Sequence, residues 1–255
     1  MHDCQLIQDD LNNIVSFLDE RQLKVAASKC KVLHFGKNNM KYTYFVGQTM
    51  LEAVEQIVDL GVTISTDLKS SKHCNAVVSK AAQRTNLIHI AFKTKTPEFL
   101  LPMCKTYVRP LLEYNCAVWN PHLMKDIRRV EGVQRRYTRH IPKLKTLTYE
   151  QHRSRLNIDT LELRRLKIIL TEYYKIVTGA SHIECNSIFT RTHCTYNLRR
   201  HRFHIDVSAV KTDARKMSFS YRFVQCWNSL PDEIFDADSI DSFKTSLENI
   251  DFSDY

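Results

Sequence analysis

Glycine and proline are scarce: the 255-residue chain has five and six of them, too few for a fibrous or low-complexity protein. No run of about 18 apolar residues occurs, which excludes a membrane-spanning helix read from sequence. The opening stretch, MHDCQLIQDD, is polar and acidic, without the basic start and apolar core of a signal peptide. None of the eight cysteines forms a CxxC pair. No disulfide framework is expected, and most cysteines should be small buried hydrophobes. The expected location is intracellular, cytoplasmic or nuclear. What remains is globular: 43% hydrophobic and 25% charged residues, enough for a real core, and no internal repeat.

The net charge of +9 is unevenly placed. Residues 1–22 carry −4 and residues 230–255 carry −7, whereas residues 105–170 carry +9. A basic middle between acidic ends is the electrostatic footprint of a nucleic-acid binder, although basic composition alone is a weak signal.

Periodicity predicts the elements. Leu6, Ile7, Leu11, Ile14 and Leu18 recur at helical spacing over 5–18. Three β-rich runs follow, at 31–35, 42–46 and 57–64, and read as a small antiparallel sheet covered by the first helix. Beyond residue 68 the pattern is helical: 70–92, 97–119 with interruptions at Pro102 and Pro110, 125–141, 158–177, a short helix near 217–228 and an acidic one at 239–249. The expected fold is therefore α+β, mainly α: a small antiparallel sheet near the N-terminus, a helical bundle, and a helical C-terminal extension. The expected divisions are 1–68, 69–180 and 181–255.

The clearest helix is 125–141. Ile127, Val130, Val133, Gln134, Tyr137 and Ile141 fall within about 120° of arc. Arg128, Arg129, Arg135, Arg136 and Arg139 take the opposite face. Arginine suits bidentate phosphate contact, so these five are the leading candidate nucleic-acid contacts; a solvated face is the alternative. Arg199, Arg200 and Arg202, with Phe203 as a stacking ring, form a second candidate cluster. Tyr107, Tyr114, Trp119 and Trp227 read as core anchors. His182, Cys185, His193 and Cys194 offer zinc donors, but the H-x2-C-x7-H-C spacing matches no knuckle, and no metal site is assigned.

Six segments in order resemble the C-terminal part of a reverse transcriptase of the non-LTR retrotransposon type (LINE-like, jockey-like). They are Ser28-Lys29-Cys30-Lys31-Val32-Leu33-His34-Phe35-Gly36; Asp59-Leu60-Gly61-Val62-Thr63-Ile64; Tyr107-Val108-Arg109-Pro110-Leu111-Leu112-Glu113-Tyr114 with Trp119 and Pro121; Val130-Glu131-Gly132-Val133-Gln134-Arg135-Arg136; Tyr149 to Leu156 with Leu161-Glu162-Leu163-Arg164-Arg165; and Arg222 with Trp227-Asn228-Ser229-Leu230-Pro231 and Phe243-Lys244. The chain departs from the family pattern at Ala26, where an Asn is usual, and lacks the acid expected after Arg165.

The resemblance implies a palm edge over 1–68, a thumb-like region over 69–180 that grips a template–primer duplex, and an extension after it. It places the start of this chain after the family's Phe/Tyr-Ala-Asp-Asp motif, so the expectation is a truncated RNA-directed DNA polymerase with no catalytic residues, unable to polymerise alone. Two-metal nucleotidyl transfer needs paired carboxylates, and the complete family enzyme uses Mg²⁺; this chain is expected to hold no cofactor of its own. Asp9-Asp10 is the nearest pair in form, but lies in a helical pattern; Asp236-Ala237-Asp238 reads as a turn before a helix. The resemblance places Lys29 near incoming phosphate; the alternative is an exposed lysine beside an edge strand. The implied partner is an RNA–DNA or DNA duplex held through phosphates, with self-association through an exposed palm face. The alternative is a non-enzymatic structural or partner-binding protein derived from that fragment.

Overall fold

The protein was analysed as a computed structural model that describes residues 2–36, 38–191 and 201–252. These cluster into two compact units, 1–73 and 74–255, each built differently.

The first unit opens with helix α1 (His2–Glu20). A 3-10 turn over Ala27–Lys29 follows, then strands β1 (Lys31–Val32), β2 (Phe45–Val46), β3 (Thr49–Met50), β4 (Glu52–Ala53), β5 (Gln56–Asp59) and β6 (Val62–Ser65). The strands do not form the single expected sheet. They make three two-stranded ladders: β1 with β4 in parallel, β2 with β3 and β5 with β6 antiparallel. The run at 57–64 is a hairpin, because Leu60 and Gly61 both take positive φ, 44° and 82°, the turn that matches strand twist. Helix α1 does reach the strands, but through a polar bridge. The Gln8 amide donates to the Phe45 carbonyl and accepts from the Phe45 N–H, both at 2.9 Å, replacing the strand partner that β2 lacks on that side. Leu6, Ile7, Ile14 and Phe17 stay about half exposed, contrary to the expectation that this face covers a sheet.

The second unit is helical. Helix α2 (Ser71–Ala91) leads into it, followed by α3 (Pro97–Met103), a π turn (Cys104–Val108), α4 (Arg109–Glu113) and α5 (Cys116–Trp119). The π turn sits between Pro102 and Pro110; Pro110 cannot donate and its ring crowds the preceding turn, so the ladder widens there. Asn115, at φ +50°, starts α5. Then come α6 (Met124–Arg139), a 3-10 turn (Pro142–Leu144), α7 (Tyr149–Leu156) and α8 (Leu161–Val177). A reciprocal Thr148–Gln151 capping box starts α7, and the Thr160 hydroxyl caps α8. The chain closes with α9 (Cys185–Ile188), α10 (Asp213–Lys216), α11 (Phe219–Arg222), α12 (Val224–Asn228), a 3-10 turn (Asp232–Asp236) and α13 (Ile240–Glu248). The fold is α+β and mainly α, with small antiparallel ladders near the N-terminus.

Residues from α8 onward share one aromatic core. Trp227, fully buried, lies 5.0 Å from Phe235 and 5.7 Å from Tyr173 between ring centroids, and Phe243 stacks on Tyr174 at 4.1 Å. The Trp227-Asn228 pair also pins the segment after residue 201. The indole N–H donates to the Phe203 carbonyl at 2.9 Å, and the Asn228 amide exchanges two bonds with Ile205. Trp119 is buried as well, but Tyr107 and Tyr114 are 49% and 58% exposed, which corrects their reading as core anchors. They sit on a π turn and at a helix end, where the register carries their rings outward. Cys74, Cys104, Cys116 and Cys226 are buried, and burial raises the thiols of Cys104 and Cys116, beside α4, to about 11.

Candidate nucleic-acid interface

Helix α6 has two faces of opposite chemistry. All six apolar-arc residues, Ile127, Val130, Val133, Gln134, Tyr137 and Ile141, are buried. Arg128, Arg129, Arg135, Arg136 and Arg139 are all exposed. The periodicity of the sequence carries over directly, since a 16-residue helix with one packed stripe must present the other outward.

The sequence does not reveal where the acids of α6 go. Asp126 and Glu131 are 1% and 8% exposed, on the packed side. Glu131 accepts the Leu161 backbone N–H at 2.8 Å and the Tyr149 hydroxyl. Its carboxylate thereby satisfies an orphan donor in the first turn of α8, where the helix dipole favours negative charge. Gln134 donates to the Tyr149 hydroxyl and to the Asp159 carbonyl, both at 2.9 Å. Burial and the nearby Glu131 charge push the Tyr149 phenol above its usual range, so it remains a neutral donor. Glu131 ties the helix to α7 and α8, Asp126 is buried beside it on the packed side, and the outer surface is left with bases only.

No carboxylate of the described residues lies in an ion pair with any of the five arginines. Arg129 donates to the Asn75 side chain of α2, and Arg135 lies over the Tyr149 ring at 5.0 Å. Arg153 of α7 faces the same ring at 6.0 Å, which joins α7 to the basic surface. His152 extends the frame: its ring bonds the Thr138 hydroxyl at 3.0 Å and the Leu144 carbonyl at 2.6 Å, tying α6 to the turn that carries exposed Lys143 and Lys145. Lys143, Lys145, Arg153 and exposed Arg155 were missed by periodicity, because they lie past the end of the helix; only the local excess of bases signals them.

The helix ends at a histidine pair. His140 donates from Nδ1 to the Arg136 carbonyl at 2.9 Å and stacks on His89 of α2 at 4.2 Å. His89 also meets Tyr137 at 4.9 Å, and neither of its ring nitrogens has a hydrogen-bond partner among the described residues. Burial, then the His140 and Lys95 charges, lower its pKa to about 4.

The other predicted positions fall elsewhere. Lys29 is exposed in the Ala27–Lys29 turn of the first unit. Arg202 is committed to its own chain: it donates to the Phe235 carbonyl and lies 3.8 Å from Asp236. Phe203, half-buried against Phe235, is part of the aromatic core and offers no free stacking face. Arg199, Arg200, His193 and Cys194 lie outside the described residues. Asp9 and Asp10 are exposed on helix α1, as their helical pattern predicts. Asp236-Ala237-Asp238 does precede a helix, and the Ser239 hydroxyl caps α13.

A cavity of about 260 Å³ between α8 and α13 is lined by Arg164, Lys167, Lys175 and Lys244. Each of these bases already has a carboxylate partner, so the cavity is a set of satisfied charges.

No family model matches the chain, and no solved structure matches it. It is similar to the uncharacterised protein B0403.1 of Caenorhabditis elegans, with 24% identity over 130 residues, or 50% of this chain. The match covers 66% of that protein, just under two thirds of its length. No helix among the described residues is long and apolar enough to cross a membrane.

Proposed function

We propose that this chain is a region of a non-LTR retrotransposon reverse transcriptase that follows the catalytic aspartates, and that it grips an RNA–DNA or DNA duplex through the outer face of α6. The observation that carries this reading is the sorting of charge on one helix: five exposed arginines outward, both acids inward. Arg128 and Arg139 are separated by ~16 Å along the axis at 1.5 Å per residue. A duplex presents roughly ten charges over that length, at one per ~1.7 Å. Tyr137 is buried and Tyr149 has Arg135 and Arg153 over its ring, so the face presents guanidinium groups ahead of aromatic rings. That chemistry suits backbone contact with a duplex better than base stacking on a single strand.

The 255 residues contain no Phe/Tyr-Ala-Asp-Asp motif, and the chain by itself holds duplex without extending a primer. Mg²⁺ serves the complete family enzyme, and the setting is inside the cell. A second reading, a partner-binding protein derived from the same region, is favoured by the uncovered apolar side of α1.

The test is duplex affinity across a salt series. Five phosphate contacts give a log–log slope of about −4 to −5. Arg128→Glu, Arg135→Glu and Arg139→Glu together should lower affinity by at least ~100-fold and flatten the slope, with helical content unchanged. Wild-type affinity in that triple variant would discard the site.

A further inference from the structure

We propose that the uncovered side of α1 docks a basic amphipathic helix supplied by another chain. Written as heptads, Cys4, Leu11 and Leu18 occupy one seam column and Ile7 and Ile14 the next. The first column is half-buried, on the side where Gln8 is pinned to Phe45. The second column faces solvent: Ile7 is 54% and Ile14 55% exposed, with Phe17 beside them at 52%. Half of a two-column helix seam is thus filled by the chain itself and half is open.

The residues bordering the open half state what fits it. Asp3 and Asp10 stand seven positions apart on the column that also carries Phe17, both exposed, and neither takes part in an ion pair among the described residues. Each lies about a turn from an exposed isoleucine, with ~10.5 Å between equivalent positions along the axis. A helix laid on this side would bury Ile7 and Ile14, share the Phe17 ring with the Arg21 guanidinium that lies 3.5 Å over it, and set its flanking residues against two carboxylates that form no ion pair among the described residues. Lysine or arginine at those flanks completes the seam; glutamate would leave like charges opposed. A second copy of this chain is a poor occupant for the same reason. Two-fold pairing of α1 with itself brings Asp3 and Asp10 of both copies onto one seam. Net charge of −4 over residues 1–22 reinforces the selection for a cationic partner.

The experiment uses the full chain and two labelled synthetic peptides that share a leucine seam, one flanked by lysines and its twin by glutamates. Fluorescence anisotropy should show the lysine peptide binding at least about tenfold more tightly. The double variant Asp3→Lys, Asp10→Lys should reverse that preference, and Ile14→Asn should weaken both peptides about tenfold. Circular dichroism of these surface variants should match the wild type. Equal affinity for the twins, or a preference unmoved by the double variant, overturns the proposal. So does a concentration-dependent dimer that Ile14→Asn abolishes, since the face would then belong to a second copy. Because α1 is distant in sequence from α6, the Arg128, Arg135 and Arg139 reversal should leave peptide binding intact.

Discussion

Helices α6 and α8 are both rich in bases, and their bases have opposite fates. In α8, Arg164 makes a two-pronged bond to Glu113 of α4, with one N–O distance of 3.1 Å, and Lys167 bridges Asp159 and Glu248. Arg165 is fully buried and donates to the Asn120 side chain at 2.9 Å. In α6 the bases face water and the acids are the buried partners. A count of Lys and Arg does not separate these cases. The fate of the carboxylates does: the bases of α8 meet acids from α4, α13, the preceding turn and α8 itself, whereas α6 sends its own acids inward. Only the second arrangement leaves charge available to an anionic partner.

The largest effect should come from cutting the α8 network. Arg164→Ala leaves Glu113, whose side chain is 13% exposed, without its partner. The loss should be about 2–3 kcal/mol of stability, read as a lower urea midpoint at constant slope. Duplex affinity at temperatures where the variant is folded should stay within about twofold of wild type. Weaker binding without destabilisation would make α8 part of the interface and break the contrast.

A smaller effect tests the histidine pair, where the same inward–outward division recurs. His89 is enclosed with a pKa of about 4, while His140 is exposed beside it. An unfolded-chain histidine titrates near 6.5, so between those values the unfolded state holds more protons. The contribution of His89 is therefore complete above about pH 6.5, declines as pH falls toward 4, and is constant below that. Buried His201, also lowered by burial, acts in the same direction. Urea midpoints should fall from pH 7 to pH 4.5, and His89→Phe, which keeps the ring against Tyr137, should make that fall shallower. An equal fall in the variant would show that His89 accepts a proton without cost.

These contrasts were only partly legible in the sequence. The apolar arc of α6 was, because a packed stripe imposes its period on nearby residues. The partners were not: Glu113 and Arg164 are 51 positions apart, and nothing local announces that they meet. The inward turn of Asp126 and Glu131 was hidden too, since acids ordinarily mark a solvated face, and here Glu131 serves the start of α8. The hairpin at Leu60-Gly61 was read as one strand because a leucine at positive φ disguises the turn. Leu6, Ile7 and Ile14 showed the right period for a covered helix, yet they stay about half exposed, and the helix docks instead through Gln8 on Phe45, Gln5 on Tyr42 and the half-buried column of Cys4, Leu11 and Leu18. Of the arginine cluster near residue 200, Arg202 looked available only because its contacts with Phe235 and Asp236 lie more than thirty positions away.

The smallest expected effect concerns Arg165, where the contrast between the helices is sharpest. Its guanidinium is wholly buried, and two of its three nitrogens have no hydrogen-bond partner among the described residues. Burial lowers its affinity for a proton, with the nearest thiols and carboxylates only partly offsetting that. A charge removed from water and bonded only to Asn120 gives back little of its desolvation cost, and in such sites an apolar side chain of similar length is often tolerated. Arg165→Met should therefore change stability by no more than about 1 kcal/mol, in either direction, despite removing a wholly buried base. The equivalent change on the exposed side, Arg135→Met, should also leave stability near wild type but weaken duplex binding and lower the salt slope by about one. A loss of several kcal/mol at Arg165 would mean that its free nitrogens are satisfied after all, and that even this base belongs to a completed network.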